Sequence, residues 1–244
     1  MRVLAFFCHF VLSKSGYITN CITKDNIKIY LHIIQDITEK KEALEALKQS
    51  YNKAKEALFE IISTLRNIVE TIDPYTGGHQ KRVAKLAIAI SQKLKLDKER
   101  INSISTAALI HDIGKIGIPA SILSKPTTLT DLEFSMIKTH SQTGYDLLKK
   151  IDFGYPVADI VLQHHERLDG SGYPKGLKND EILIEAKILS VADVVEAMMS
   201  HRPYRPALGI NKALKEIGTD KNKLYDPLVV ETCLDLFYKE NFKF

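Results

Sequence analysis

The stretch Ser105–Lys115 reads STAALIHDIGK, an apolar run that ends abruptly in a histidine and a carboxylate. A second stretch, Val157–Glu166, repeats the plan as VADIVLQHHE. Apolar residues at helical spacing bury one face of a helix. A His111-Asp112 or His164-His165 doublet at the end of such a helix gains little from that packing, yet both members can reach one centre if the helix end faces a cavity. His79 opens another helical stretch after Gly77-Gly78, and His140 follows the amphipathic Phe134–Thr139. Asp193 lies inside the apolar run Ile188–Ala197, where an unpartnered carboxylate is costly to bury. A lone histidine at a helix end is ordinarily a cap or a satisfied core residue; the doublets shift the balance toward metal ligation. Imidazole nitrogen with carboxylate oxygen suits first-row metals such as iron, manganese or zinc. No cysteine stands among the candidates, which argues against a structural zinc finger.

Outward from these stretches, helical spacing recurs over Val83–Leu96, Ile101–Ile113, Thr130–Lys150, Tyr155–His165 and Glu185–Met199. Glycine and proline gather in the breaks Asp73–Gly78, Gly114–Pro119, Gly170–Pro174 and Arg202–Pro206. No β pattern competes there, so the expected fold from Asp73 onward is an all-α bundle. Upstream, Ile37, Leu44, Leu47, Tyr51, Ala54, Leu58, Ile61, Leu65, Ile68 and Ile72 alternate in steps of three and four once Lys40 is included. That is the seam of a coiled coil. It predicts a parallel homodimer through residues 37–72, against the alternative of an amphipathic helix packing on its own domain.

Residues 1 to about 36 read as short strands, with a turn at Lys14–Gly16 and a polar break near Lys24–Asn26. Val3–Leu12 is nearly all apolar, but its ten residues are too few for a bilayer span, which takes about 20. It follows Arg2 as in a signal peptide, but no small-residue cleavage site comes after it, so a buried strand is expected there over a signal peptide, and no membrane span. The net charge of +4 is mild and excludes a nucleic-acid-coating surface. Three scattered cysteines, Cys8, Cys21 and Cys233, fit a reducing cytoplasm.

Two resemblances add to this reading. Lys28–Leu44, KIYLHIIQDITEKKEAL, resembles the closing strand and exit helix of a PAS sensor domain, with Asp36-Ile37-Thr38 at the junction. It covers only the end of such a domain, which implies a chain that begins inside one through truncation or a misplaced start. His111-Asp112 with Lys115 is similar to the signature of the HD phosphohydrolase superfamily, and HHERLDGSGYP (His164–Pro174) resembles the hallmark of its HD-GYP branch. The likeness runs from about Asp73 to about Phe237 through YTGGHQKRV, HDIGKIGIP, LTDLEFSMIKTH and SVADVVEAMMSHRPYR. The expected organisation is therefore a partial PAS-like segment (1–36), a coiled-coil signalling helix (37–72) and an HD-GYP phosphodiesterase domain (73–244).

The resemblance implies a cytoplasmic hydrolase that opens cyclic di-GMP to pGpG, and onward to GMP in some members, with two divalent transition metal ions, iron or manganese. It implies His79, His111, Asp112, His140, His164, His165 and Asp193 as ligands, with Asp112 bridging. Trinuclear members carry a glutamate where this chain has Tyr75, which makes a third metal doubtful. Lys115 is expected on the phosphate and at the leaving oxygen, Arg202 and Arg205 as further phosphate contacts, and the turn shaped by Gly170, Gly172 and Pro174 is expected to bring Tyr173 close to the site or to a partner surface. Glu166 and Asp169 are expected to orient histidines. The chain departs from the family's usual pattern at Leu168, Glu196, His201 and Ser141; Glu196 and His201 are the two that bear on substrate choice. Rival readings are an HD-type nucleotidase, a catalytically silent cyclic-dinucleotide receptor, and a di-iron redox sensor.

Overall fold

The computed structural model describes residues 9–13, 16–20, 26–73, 78–201 and 207–244. They fall into two compact units, Met1–Phe59 and Glu60–Phe244. In the first, β1 (His9–Ser13) pairs antiparallel with β2 (Gly16–Asn20), His9 opposite Asn20 and Ser13 opposite Gly16. The end of the apolar run expected as a strand thus lies in β1, while residues 3–8 fall outside the described residues.

Helix α1 runs from Asn26 to Ile72. This corrects the reading of Lys28–Gln35 as a closing strand. A short apolar run has no period that separates strand from helix, and no proline or glycine stands between Asn26 and the heptads that follow. The helix therefore propagates backward past the Asp36-Ile37-Thr38 junction, because extending a helix is far easier than nucleating one.

The second unit is helical throughout its named elements: the end of α1, then α2 (His79–Lys93), α3 (Lys98–Ile110), α4 (Ala120–Leu123), α5 (Asp131–Leu148), α6 (Val157–Gln163), α7 (Ile184–Met199), α8 (Ile210–Thr219) and α9 (Pro227–Tyr238). The all-α expectation holds there. Start signals are visible in the sequence: Asp97 accepts from the Glu99 and Arg100 amides, and Asp226 precedes Pro227 and accepts from Leu228 and Val229. Thr130 and Glu133 form a reciprocal capping box on α5.

Helix α7 is the axis of the packing, against α2, α3, α6, α8 and α9. Its Ile188, Leu189, Val191, Ala192 and Val195 are all buried, an unbroken apolar surround that lets a helix sit inside rather than on the surface. Asp193 rides in that buried helix. From α1, Ile62 and Val69 are buried and Leu65 packs beside them. Of the seam positions, Leu44, Leu47, Tyr51, Leu58, Ile61 and Ile68 are exposed, Leu47 at 66% and Ile61 at 56%, while Leu65 and Ile72 are half-buried. Among the described residues no helix is long and apolar enough to cross a membrane.

Candidate metal centre

Three helix ends and the interiors of two further helices deliver the predicted donors. His79 is the first residue of α2, His111 caps the C-terminus of α3 with Asp112 next, and His164 caps α6 with His165 next. His140 projects from within α5 and Asp193 from within α7. The seven fall into three overlapping groups: His79, His111 and Asp193; His111, Asp112 and His164; His140, His164 and His165. Within each group the donor atoms lie within 4.8 Å of one another. All but the half-buried His165 are buried.

The rings are held from behind. His111, His140 and His164 each donate Nδ1–H to the carbonyl three residues earlier on their own helix, Ala108 at 2.9 Å, Ile137 at 2.7 Å and Val161 at 2.5 Å. That commitment leaves Nε2 as the bare nitrogen, aimed at the centre. His140 Nε2 and His164 Nε2 then face each other at 3.3 Å as two lone pairs. Such an arrangement is unfavourable by itself and becomes favourable around a shared cation. Asp112 extends one oxygen to each side: Oδ2 is 3.5 Å from His111 Nε2 and Oδ1 is 3.7 Å from His140 Nε2. Asp193 Oδ1 lies 3.2 Å from His79 Nε2 and 3.9 Å from His111 Nε2.

Protonation favours ligation. Burial pushes His164 down to about 3, aided by His111 and His140, and it likewise pushes His165 well below the ordinary imidazole range. Burial lowers His140 too, with Asp112 opposing. Asp112 resists the upward push of burial because Lys115 and the surrounding histidines hold its carboxyl well below the usual range, and Asp193 is held down through its hydrogen bond with His79. Neutral imidazoles and ionised carboxylates are the forms that bind cations. His79 differs: burial works to lower it, but hydrogen bonds with Asp193 and Glu196 raise it to about 9. The donor set, nitrogen and oxygen without sulfur, fits hard-to-borderline divalent ions.

Lys115 sits in a short 3₁₀ turn, Ile113–Gly117, whose three-residue period stacks it over Asp112. Its Nζ is 2.9 Å from Asp112 Oδ2 and 2.9 Å from Asp73 Oδ2. Asp73 immediately follows α1, and sequence reasoning missed it: the residue stands in a glycine-rich break, and nothing local announces a partner 42 positions away. Gly114 in the same turn lies against α5, where an added Cβ would stand 1.9 Å from the His140 carbonyl oxygen. Only a glycine lets this turn approach the helix that carries His140.

The GYP string folds back on its own start. Tyr173 donates its amide to the His165 carbonyl at 3.2 Å, and its ring lies 4.7 Å from the His165 ring. Gly172 permits this, since a Cβ there would fall 2.4 Å from the Glu166 Cα and the Arg167 nitrogen. Glu166 and Asp169 do not orient histidines as expected. The buried Glu166 carboxylate accepts the Lys175 and Leu177 amides at 2.7 and 3.0 Å, pinning the loop, and Asp169 accepts the Ser171 amide and hydroxyl. The carboxylate behind a histidine is Glu196, which accepts His79 Nδ1–H, Arg82 Nε at 2.7 Å and Ser200 Oγ at 2.6 Å. Its place one helical turn beyond Asp193 was the available signal. His201 is exposed. Arg202, Arg205 and Tyr75 lie outside the described residues.

A family model described as HD domain matches residues 63–229. A cyclic di-GMP phosphodiesterase of Thermotoga maritima is 41% identical over 190 residues, covering 76% of this chain and 51% of its own length. A 3′3′-cGAMP-specific phosphodiesterase of Vibrio cholerae is 38% identical over 168 residues, covering 68% of this chain and 36% of its own length. The chain thus spans about half or less of these relatives. A solved structure of an HDG"Y"P protein from Bdellovibrio bacteriovorus superposes with a TM-score of 0.54 at 23% identity, over 65% of this chain and 51% of that one; this likeness speaks for the fold.

Proposed function

Because this chain belongs to the HD domain family, we propose that it is a metal-dependent phosphodiesterase of the HD-GYP branch that opens cyclic di-GMP to linear pGpG. The observation that carries the reading is the convergence of seven nitrogen and oxygen donors around the facing Nε2 atoms of His140 and His164. The relative named for cyclic di-GMP supports the substrate. His79, His111, Asp112, His140, His164, His165 and Asp193 would hold two divalent transition ions, iron or manganese, with Asp112 shared between them. Such a pair supplies Lewis acidity and neutralises charge on the phosphoryl oxygens. Lys115, already oriented by Asp73 and Asp112, binds the phosphate and delivers a proton to the departing 3′ oxygen. Arg202 and Arg205 grip further phosphate oxygens through their guanidinium forks. Tyr173 closes the His165 side of the cleft.

Lys115→Ala tests this assignment. It is expected to keep the metal, because no donor is lost, and to lower kcat for cyclic di-GMP by on the order of a hundredfold. Normal turnover in the variant, or a wild-type chain that is metal-loaded yet releases no linear product, would overturn it. A second substrate, 3′3′-cGAMP, is favoured by the Vibrio cholerae relative, and assaying both dinucleotides side by side ranks them.

We further propose that α1 joins two copies in parallel along its heptad seam, serving a cytoplasmic signalling protein. Of the seam, Leu44, Leu47, Tyr51, Leu58, Ile61 and Ile68 are exposed, while Leu65 packs beside the buried Ile62 and Val69. Six exposed apolar side chains on one stripe are a liability in a monomer and an interface in a dimer. The full chain is expected to sediment as a dimer, and Leu47→Glu with Leu58→Glu as a monomer. A monomeric wild type at micromolar concentration removes the claim. The Asp36-Ile37-Thr38 triplet is what remains in favour of a PAS-like origin for residues 1–36.

A further inference from the structure

The rim of the centre carries a cation that the chemistry above leaves unused. Burial falls off outward from His140 and His164, which are buried, through half-buried His165 and Tyr173, to half-buried Lys138 and exposed Phe134. Lys138 Nζ stands 5.6 Å from the Tyr173 ring centroid and 4.8 Å from that of Phe134. Lys138 lies two residues before His140 on α5, so the helix that carries a donor also fixes the lysine backbone. The other cations around the centre are compensated or turned inward. Lys115 lies on Asp73 and Asp112, Arg82 on Glu196, and Arg167 donates to Ser190 and the Glu166 carbonyl. Lys138 makes no ion pair among the described residues; its partners there are the two rings. Ring faces attract an ammonium without cancelling its charge. A full positive charge is therefore held in place beside the donor cluster.

A cyclic dinucleotide carries two phosphodiesters in one macrocycle. The one to be cleaved must face the donors, and ring closure then draws the other into the same cleft. Removing that anion from water without a counter-charge is expensive. We propose that Lys138, steadied between Phe134 and Tyr173, binds this second phosphate and so selects cyclic dinucleotides over esters with a single phosphate. The assignment rests on the phosphodiesterase reading above.

The test compares the metal-loaded full chain with Lys138→Met, Lys138→Ala and Lys138→Arg on cyclic di-GMP, 3′3′-cGAMP and bis(4-nitrophenyl) phosphate. Methionine keeps the apolar stem packed on the rings while removing the charge. Both charge-deleting variants are expected to lose about tenfold to a hundredfold in kcat/KM on the two cyclic dinucleotides, chiefly through KM. The single-phosphate ester should show a far smaller loss, metal content should match wild type, and arginine should recover most of the deficit. Equal losses on all three substrates would make Lys138 a structural residue, and no loss on any would leave it idle; either result overturns the assignment. A wild-type chain that cleaves the nitrophenyl ester but neither dinucleotide overturns the substrate reading instead, and takes this assignment with it. That failure is distinguishable because it shows before any Lys138 variant is made.

Discussion

Asp112→Asn is expected to lower cyclic di-GMP hydrolysis by on the order of a thousandfold or more and to strip the protein of most of its transition metal. The carboxylate addresses two different histidines with its two oxygens, His111 through Oδ2 and His140 through Oδ1. An amide offers one oxygen and replaces the other with N–H donors, which cannot ligate. The side chain keeps its shape, so the buried helix end at α3 stays packed and the loss reads out ligation rather than collapse. Lys115 retains Asp73 as its counter-charge, which limits the cost of the missing anion. Elemental analysis beside circular dichroism separates the two effects. A folded Asp112→Asn protein with a full complement of metal and near-normal turnover would show that the donors do not act as a shared cage.

The second large effect is expected from a methyl group that touches no donor. In Gly114→Ala the new carbon would stand 1.9 Å from the His140 carbonyl oxygen and 2.6 Å from the Gly144 nitrogen, both of them backbone of α5. No rotamer relieves that contact, so either the Asp112–Lys115 turn or α5 must move. Overpacking of this kind costs about 3 kcal/mol, and for a domain of this size that corresponds to a Tm lower by roughly 6–12 °C. Metal affinity should fall with it, because the displaced pieces carry Asp112 on one side and His140 on the other. Gly218→Ala is the control: nothing stands within 4 Å of its added carbon, and alanine is the better helix former. Should Gly114→Ala melt like Gly218→Ala, the tight crossing of turn and helix is not real.

What sequence reading captured and what it missed divide along a physical line. That these side chains are candidates was legible at five of the seven positions, which stand out against their surroundings: polar doublets close apolar helices at His111 and His164, and Asp193 interrupts an apolar run. The helical character of the second unit was legible for the same reason, since helical spacing and glycine or proline breaks are local. Pairings across the chain were not. Asp73 and Lys115 meet only once α1 and the 3₁₀ turn are packed, and Glu196 reaches His79 over 117 positions. Glu166 misled for a related reason: adjacency to His165 in sequence suggested service to the ring, whereas a helix end sends neighbouring side chains in different directions, and this one turns to the loop amides of Lys175 and Leu177. At Lys28–Gln35 the failure was of period, a run too short to declare itself against the long helix that absorbs it.

The latching of His111, His140 and His164 to carbonyls of their own helices sets how the cage can change. Each ring travels as part of a rigid rod, so insertions in the connecting loops leave the bite of the site untouched. Sliding one rod along its neighbour alters every donor distance at once. Retuning such a centre toward an ion of another radius is thus a matter of helix packing, reached through apolar residues many ångströms from any ligand.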